Sequence, residues 1–77
     1  MVLEINYYGI LADIIGQNQE ELEIENPTYT RLIAVLYERY PQLKNTPFKM
    51  ASENQILEDE APIIHHNIAL LPPFSGG

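Results

Sequence analysis

Cysteine is absent from the 77-residue chain. That absence excludes disulfides, thiolate metal sites and cysteine nucleophiles, and leaves packing alone to stabilise the fold. No apolar run approaches the roughly 20 residues that a membrane span needs. The opening Met1-Val2-Leu3-Glu4 lacks the basic stretch followed by an apolar one that marks a signal peptide. Basic residues are scarce, four against eleven acidic ones, for a formal net charge of −7. That balance repels nucleic acid and anionic lipid and speeds encounter with a basic protein surface. The expectation is a soluble cytoplasmic protein with protein partners, and neither nucleic acid nor membrane among them.

What is present suffices for one domain over residues 1–77. Hydrophobic residues make up 45% of the chain, enough for a single core. A domain of this size buries roughly 60–68% of the surface its unfolded chain would expose, which leaves little room for a deep catalytic pocket. A binding or carrier module is favoured over a stand-alone enzyme.

The hydrophobic spacing divides the chain. Val2 to Tyr8 alternates, with Leu3, Ile5 and Tyr7 on one face, as a half-buried strand does. Ile10 to Ile15 carries Leu11, Ile14 and Ile15 at helical spacing, and Gly16 follows where a left-handed residue ends many helices. Turn chemistry over Gly16-Gln17-Asn18 leads into a second alternating run, Glu20 to Glu25, with Leu22 and Ile24 inward and Glu21, Glu23 and Glu25 in water. Asn26-Pro27-Thr28 announces the main helix, with Asn26 or Thr28 as its cap. Its stripe is Tyr29, Leu32, Ile33, Leu36 and Tyr40, and Pro41 ends it. Phe48 to Glu53 and Gln55 to Leu57 read as strands around a turn, and 58–62 as a polar loop. Asn67 to Leu71, apolar at nearly every position, suits the centre of a sheet. The order implies an α+β fold with one main helix on a sheet, its first and last strands pairing centrally. The β-grasp, or ubiquitin-like, architecture is one candidate.

The chemistry concentrates in Leu70-Leu71-Pro72-Pro73-Phe74-Ser75-Gly76-Gly77. A buried strand runs into two prolines, which fix φ and lean toward extended chain, and then into a diglycine. The four residues beyond Pro73 reach at most ~14 Å. Gly76 and Gly77 carry no side chain, so they can enter a channel closed to any other residue. A frayed end or an expression scar would not supply the strand-Pro-Pro-aromatic lead-in. A flexible tail over 72–77 is therefore expected to be the working part. A free α-carboxylate, with a pKa of about 3.3–3.7, is ionised and has no leaving group. It needs activation, for example as an acyl-adenylate, before it can accept sulfur or an amine.

Those residues resemble the closing motif of the molybdopterin synthase small subunit family. Thr28, Leu32, Leu36 and Glu38-Arg39-Tyr40-Pro41 resemble that family's main helix, and Tyr8-Gly9-Ile10-Leu11-Ala12 its segment after the first strand. The resemblance implies the β-grasp fold with an extra short N-terminal helix, and a role as sulfur carrier in molybdenum cofactor biosynthesis. It implies that a MoeB-like adenylating enzyme, using ATP and Mg, activates Gly77 and that sulfur transfer gives a thiocarboxylate. The tail would then donate sulfur to a pyranopterin in the large synthase subunit, MoaE. Leu70, Pro72, Pro73, Phe74, Ser75 and Gly76 would contact partners, and Gly77 would carry the chemistry. No bound cofactor, resident metal or catalytic side chain is implied.

Two positions depart from the family pattern. Phe74 stands where a small aliphatic residue is usual, which alters the fit in a partner channel. His65-His66-Asn67 replaces Gly-Asp-Glu at the turn into the last strand, a place where residues tolerant of positive φ serve. The loss of acid there would weaken a contact with a basic partner.

Other readings of these residues are weaker. Adjacent His65 and His66 point to opposite faces in a strand and do not readily chelate one ion. Glu58-Asp59-Glu60 lacks the glycine and spacing of a calcium loop. Ser75 has no nucleophile elbow. The five tyrosines are mostly explained by the core and its edges, the alternative being that Tyr7, Tyr8, Leu70 and Phe74 form part of an apolar docking patch next to the tail. A sulfur carrier for thiamine or cysteine synthesis, and a ubiquitin-like modifier joined to lysines through Gly77, remain alternatives. Carriers in the thiamine pathway usually lack the helix placed at Ile10 to Ile15.

Overall fold

Five strands, two helices and a 3₁₀ turn follow one another through the computed structural model, which describes residues 1–58 and 60–72. They are β1 (Val2–Tyr7), α1 (Ile10–Ile15), β2 (Gln19–Glu23), α2 (Tyr29–Arg39), a 3₁₀ turn (Pro41–Asn45), β3 (Lys49–Ser52), β4 (Gln55–Ile56) and β5 (Asn67–Leu71). The strands form one mixed sheet in the order β2-β1-β5-β3-β4. β5 lies at its centre, parallel to β1 with Ile5 beside Ile68, and antiparallel to β3 with Met50 beside Leu70. The central placing of the last strand and its pairing with the first are as its apolar composition suggested.

Alternation along β1 and β5 sends Leu3, Ile5, Tyr7, Ile68 and Leu70 to one face, where α2 covers them with Leu32 and Leu36. Leu11 of α1, Leu43 of the 3₁₀ turn, Met50 and Ile63 complete the core. Each fully buried aliphatic side chain contributes about 1.5–3 kcal/mol relative to exposure. The sheet therefore has one dry face and one open face.

Local chemistry sets the ends of the elements. Thr28, in extended conformation, accepts a 3.1 Å hydrogen bond from the Arg31 N–H through Oγ1 and so caps α2. Of the two expected caps, Asn26 is not used; it takes φ 49° one residue before Pro27. Gly16 ends α1 at φ 89°, with its N–H bonded to Ala12 O. Glu53 and Asn54, at φ 49° and 65°, turn β3 into β4 with the two positive-φ central residues that a tight type I′ hairpin requires.

The structure differs from the sequence reading in three places. Pro41 ends α2 but opens the 3₁₀ turn that buries Leu43. The stretch read as a polar loop docks through Tyr29 N to Ala61 O and Ile63 N to Pro27 O, burying Ile63. The entry to β5 does not use positive φ: the non-glycine residues in that region are Asn26, Glu53, Asn54 and Glu60. His65-His66 bends instead with His66 held at Val2 O (2.8 Å from Nδ1) and Glu4 N bonded to His66 O.

Glu20 is assigned to neither side by the sequence reading. It shares the inward face of β2 with Leu22, and its side chain is 8% exposed. Oε2 accepts from Tyr7 Oη at 3.0 Å, from Gln17 Nε2 at 2.7 Å and from Tyr40 Oη. Oε1 has no hydrogen bond and faces Arg39 Nη2 at 3.2 Å as an ion pair. Burial, followed by the hydrogen bond and the charge of Glu20, pushes the Tyr7 hydroxyl far above its ordinary range. The same causes raise Tyr40.

Candidate functional site

The last described residue, Pro72, follows β5 without interruption and lies half-buried at one corner of the sheet. The chain between β1 and α1 turns through Gly9 at that corner, in a conformation (φ 59°, ψ −136°) natural only to glycine. A Cβ built on Gly9 would lie 3.2 Å from Pro72 Cγ. Tyr8 and Leu70 tie the corner together through the Tyr8 N–H to Leu70 O bond of 3.3 Å. Tyr8 and Ile10 flank it, about half exposed at 50% and 58%.

The open face of the sheet begins at this corner. Glu4, Asn6 and Tyr8 from one side, Asn67, Ala69 and Leu71 in the middle, and Ala51 and Ile56 from the other line a shallow depression of about 590 Å³. Ile56, on the edge strand, is 52% exposed. Ala51, Ile56, Ala69 and Leu71 give the depression apolar patches, set among the polar Glu4, Asn6, Ser52, Glu53, Asn54 and Asn67. Such a surface suits a protein partner better than a small substrate, whose pockets enclose most of the ligand.

The expected partner-binding residues divide between core, corner and tail. Leu70 is a correction: it is fully buried, its side chain packs into the core, and it cannot meet a partner. Tyr7 belongs to the core, as the first of the two readings of the tyrosines has it: it is 3% exposed and donates its hydroxyl to Glu20. A strand apolar at almost every position hides which residues face inward; the alternation with Ile68 decides it. Tyr8 is exposed, and Pro72 sits at the corner. Pro73, Phe74, Ser75, Gly76 and Gly77 lie outside the described residues.

Sequence reading missed Gly9 and the contributions of Ala51, Ile56 and Ala69. Gly9 left one signal, an isolated glycine between a strand and a helix. The depression left none, because β3, β4 and β5 are brought together only by the sheet. Among the described residues no cluster of three or more His, Asp or Glu could hold a metal ion, and no helix is long and apolar enough to cross a membrane.

No family model matches the chain. Solved structures do. A protein assigned as molybdopterin converting factor subunit 1, from Pyrococcus furiosus, superposes with a TM-score of 0.86 at 15% identity, over 96% of this chain and 99% of that one. SAMP1 from Haloferax volcanii, a small archaeal modifier protein, superposes with a TM-score of 0.80 at 17% identity over all of both chains. A chain from the complex of subunits 1 and 2 of the molybdopterin-converting factor of Helicobacter pylori 26695 does so at 0.69 and 21% identity, again over all of both. Sequence identities this low speak for the fold, and the fold is the β-grasp.

Proposed function

We propose that this chain is a ubiquitin-like sulfur carrier for molybdenum cofactor synthesis, with the Gly77 carboxyl as its reactive group. The observation that carries the reading is the placing of β5. The strand that is central in the sheet and locked into the core runs directly to Pro72, half-buried against Gly9. The five residues that follow, ending in Gly76-Gly77, are thus attached to the best-held strand of the domain. The likeness to molybdopterin-converting subunits over nearly the whole chain supports the same reading.

In this reading the Gly77 carboxylate attacks the α-phosphate of Mg-ATP on a separate adenylating enzyme, and pyrophosphate leaves. Hydrosulfide then adds to the acyl-adenylate carbonyl, AMP departs, and a thiocarboxylate remains. Its sulfur attacks a carbon of a pyranopterin bound by a larger synthase subunit, an oxygen substituent of that carbon leaves, and water hydrolyses the resulting thioester to return the carboxylate and leave the sulfur on the pterin. The carrier contributes position and a bare chain end, while partners supply the catalytic groups. The complex of subunits 1 and 2 from H. pylori supports a large-subunit partner. The depression on the open sheet face and the exposure of Tyr8 and Ile10 support docking of such a partner on that side.

A second reading, conjugation of Gly77 to lysines of other proteins, is favoured by the likeness to the archaeal modifier. The two share the adenylate and part at the nucleophile. Intact-mass measurement on protein from its native cell separates them. A gain of about 16 Da, sulfur replacing one oxygen, supports the carrier. Amide conjugates without that species support the modifier, and a chain found with neither change overturns both.

A further inference from the structure

Two glycines of the described chain adopt positive φ, and they differ in what surrounds them. Gly16 has nothing within 4 Å of the place a Cβ would occupy. Gly9 faces the ring of Pro72, with Cγ at 3.2 Å, Cδ at 3.9 Å and Cβ at 4.0 Å from that place. Gly16 thus serves a dihedral angle, whereas Gly9 serves both a dihedral angle and a close approach.

We propose that Gly9 is a positioning residue for the chain's terminal residues: its bare Cα seats the Pro72 ring, and that seat sets the direction in which the chain leaves the domain. The inference deepens the carrier reading, and its kinetic arm rests on it.

The Gly9 side of the contact is anchored. Leu11 N donates to Tyr8 O and Ala12 N to Gly9 O, each at 3.1 Å, and the Leu11 side chain is fully buried. Tyr8 N is tied to Leu70 O. A side chain at position 9 therefore displaces the proline more readily than the loop. Proline has its φ tied to its ring, so a displacement larger than a change of ring pucker absorbs turns the bond that leads out of the domain. Misplacement of a reacting group by roughly 1 Å can cost about 100-fold in rate.

The test compares Gly9→Ala with Gly16→Ala, which introduces a side chain at positive φ without the proline contact. Pyrophosphate exchange by the cognate adenylating enzyme is measured well below each variant's melting temperature. In Gly9→Ala, kcat is expected to fall roughly 10- to 100-fold and KM to change by a smaller factor, because the open sheet face is untouched. Gly16→Ala is expected to lose stability and keep kcat. If Gly9→Ala does not fold, Pro72→Gly releases the seat from the other side and is expected to lower kcat in the same way.

A second arm needs no enzyme. Because the chain has no cysteine, Ser75→Cys provides a unique nitroxide site. Its relaxation enhancement on backbone amides is expected to change pattern between the Gly9 and Gly9→Ala backgrounds. Unchanged kcat, equal losses in the two alanine variants, or an identical nitroxide pattern would each overturn the proposal. Absence of exchange with the unaltered chain would instead sink the carrier reading, and the nitroxide pattern alone would then decide the role of Gly9.

Discussion

Tyr7 donates a 3.0 Å hydrogen bond from its hydroxyl to Oε2 of Glu20, across the β1–β2 pair and one diagonal step from Ile5, the register partner of that glutamate. Tyr40, from the end of α2, reaches the same oxygen, and Arg39 faces the other. One carboxylate thus ties an edge strand to the main helix. Glu20→Ala would leave the buried Tyr7 hydroxyl without an acceptor and is expected to cost about 1–3 kcal/mol. Glu20→Gln keeps an acceptor and is expected to cost less. Chemical denaturation of the two variants checks the order, and equal stability of all three proteins contradicts it.

The same cluster makes stability depend on alkaline pH. Tyr7 and Tyr40 ionise above the ordinary value of 10.0 in the folded chain, burial being the first cause for each. Their contribution is complete below the unfolded value and declines as pH rises beyond it, since the unfolded chain then releases protons that the folded chain retains. The melting temperature is expected to fall above about pH 10, and to fall less steeply in Tyr7→Phe. Thermal scans at a series of alkaline pH values measure both slopes.

Ala69 lies in the central strand with its side chain on the open face. Ala69→Arg places a bulky charge in the depression without touching the core, so folding stability is expected to change by no more than about 0.5 kcal/mol. If partners dock there, KM for thiocarboxylate formation rises roughly tenfold or more, a loss of about 1.4 kcal/mol or more in docking. Unaltered KM would place the docking surface elsewhere.

Deleting Gly77 is expected to abolish sulfur transfer and leave the melting temperature nearly unchanged. A chain terminus beyond the last strand contributes little to a packed core. A large loss of stability on that deletion would count against the reactive-terminus reading.

Thr28→Ala removes the side-chain acceptor that holds the Arg31 N–H. A cost of about 1 kcal/mol is expected. Asn26→Ala tests the alternative cap: it should not reproduce that loss through capping, because Asn26 does not occupy the cap position.

Periodicity carries a long way in this protein, because it reports which side of a local element is apolar. Leu3, Ile5 and Tyr7 are spaced for one face of a strand, and Leu32 and Leu36 for one face of a helix; each of these residues is buried. Pro41 and Gly16 mark helix ends by their own backbone limits. The apolar run Asn67–Leu71 indicates a central strand before any partner is known. The diglycine beyond it is the sequence feature on which the proposed chemistry at Gly77 rests.

Tertiary structure decided the rest, because those features arise between segments distant in the chain. Glu20 stands in the sequence as an acid in step with Leu22, with no partner to explain it until Tyr7, Tyr40 and Arg39 converge on it. Leu70 reads as part of a working tail until its pairing beside Tyr7 and Met50 turns it into the core. Gly9 acquires its meaning only when the end of β5 brings Pro72 against it. A local pattern encodes the apolar side of an element; which neighbour covers that side is set by the closure of the whole sheet.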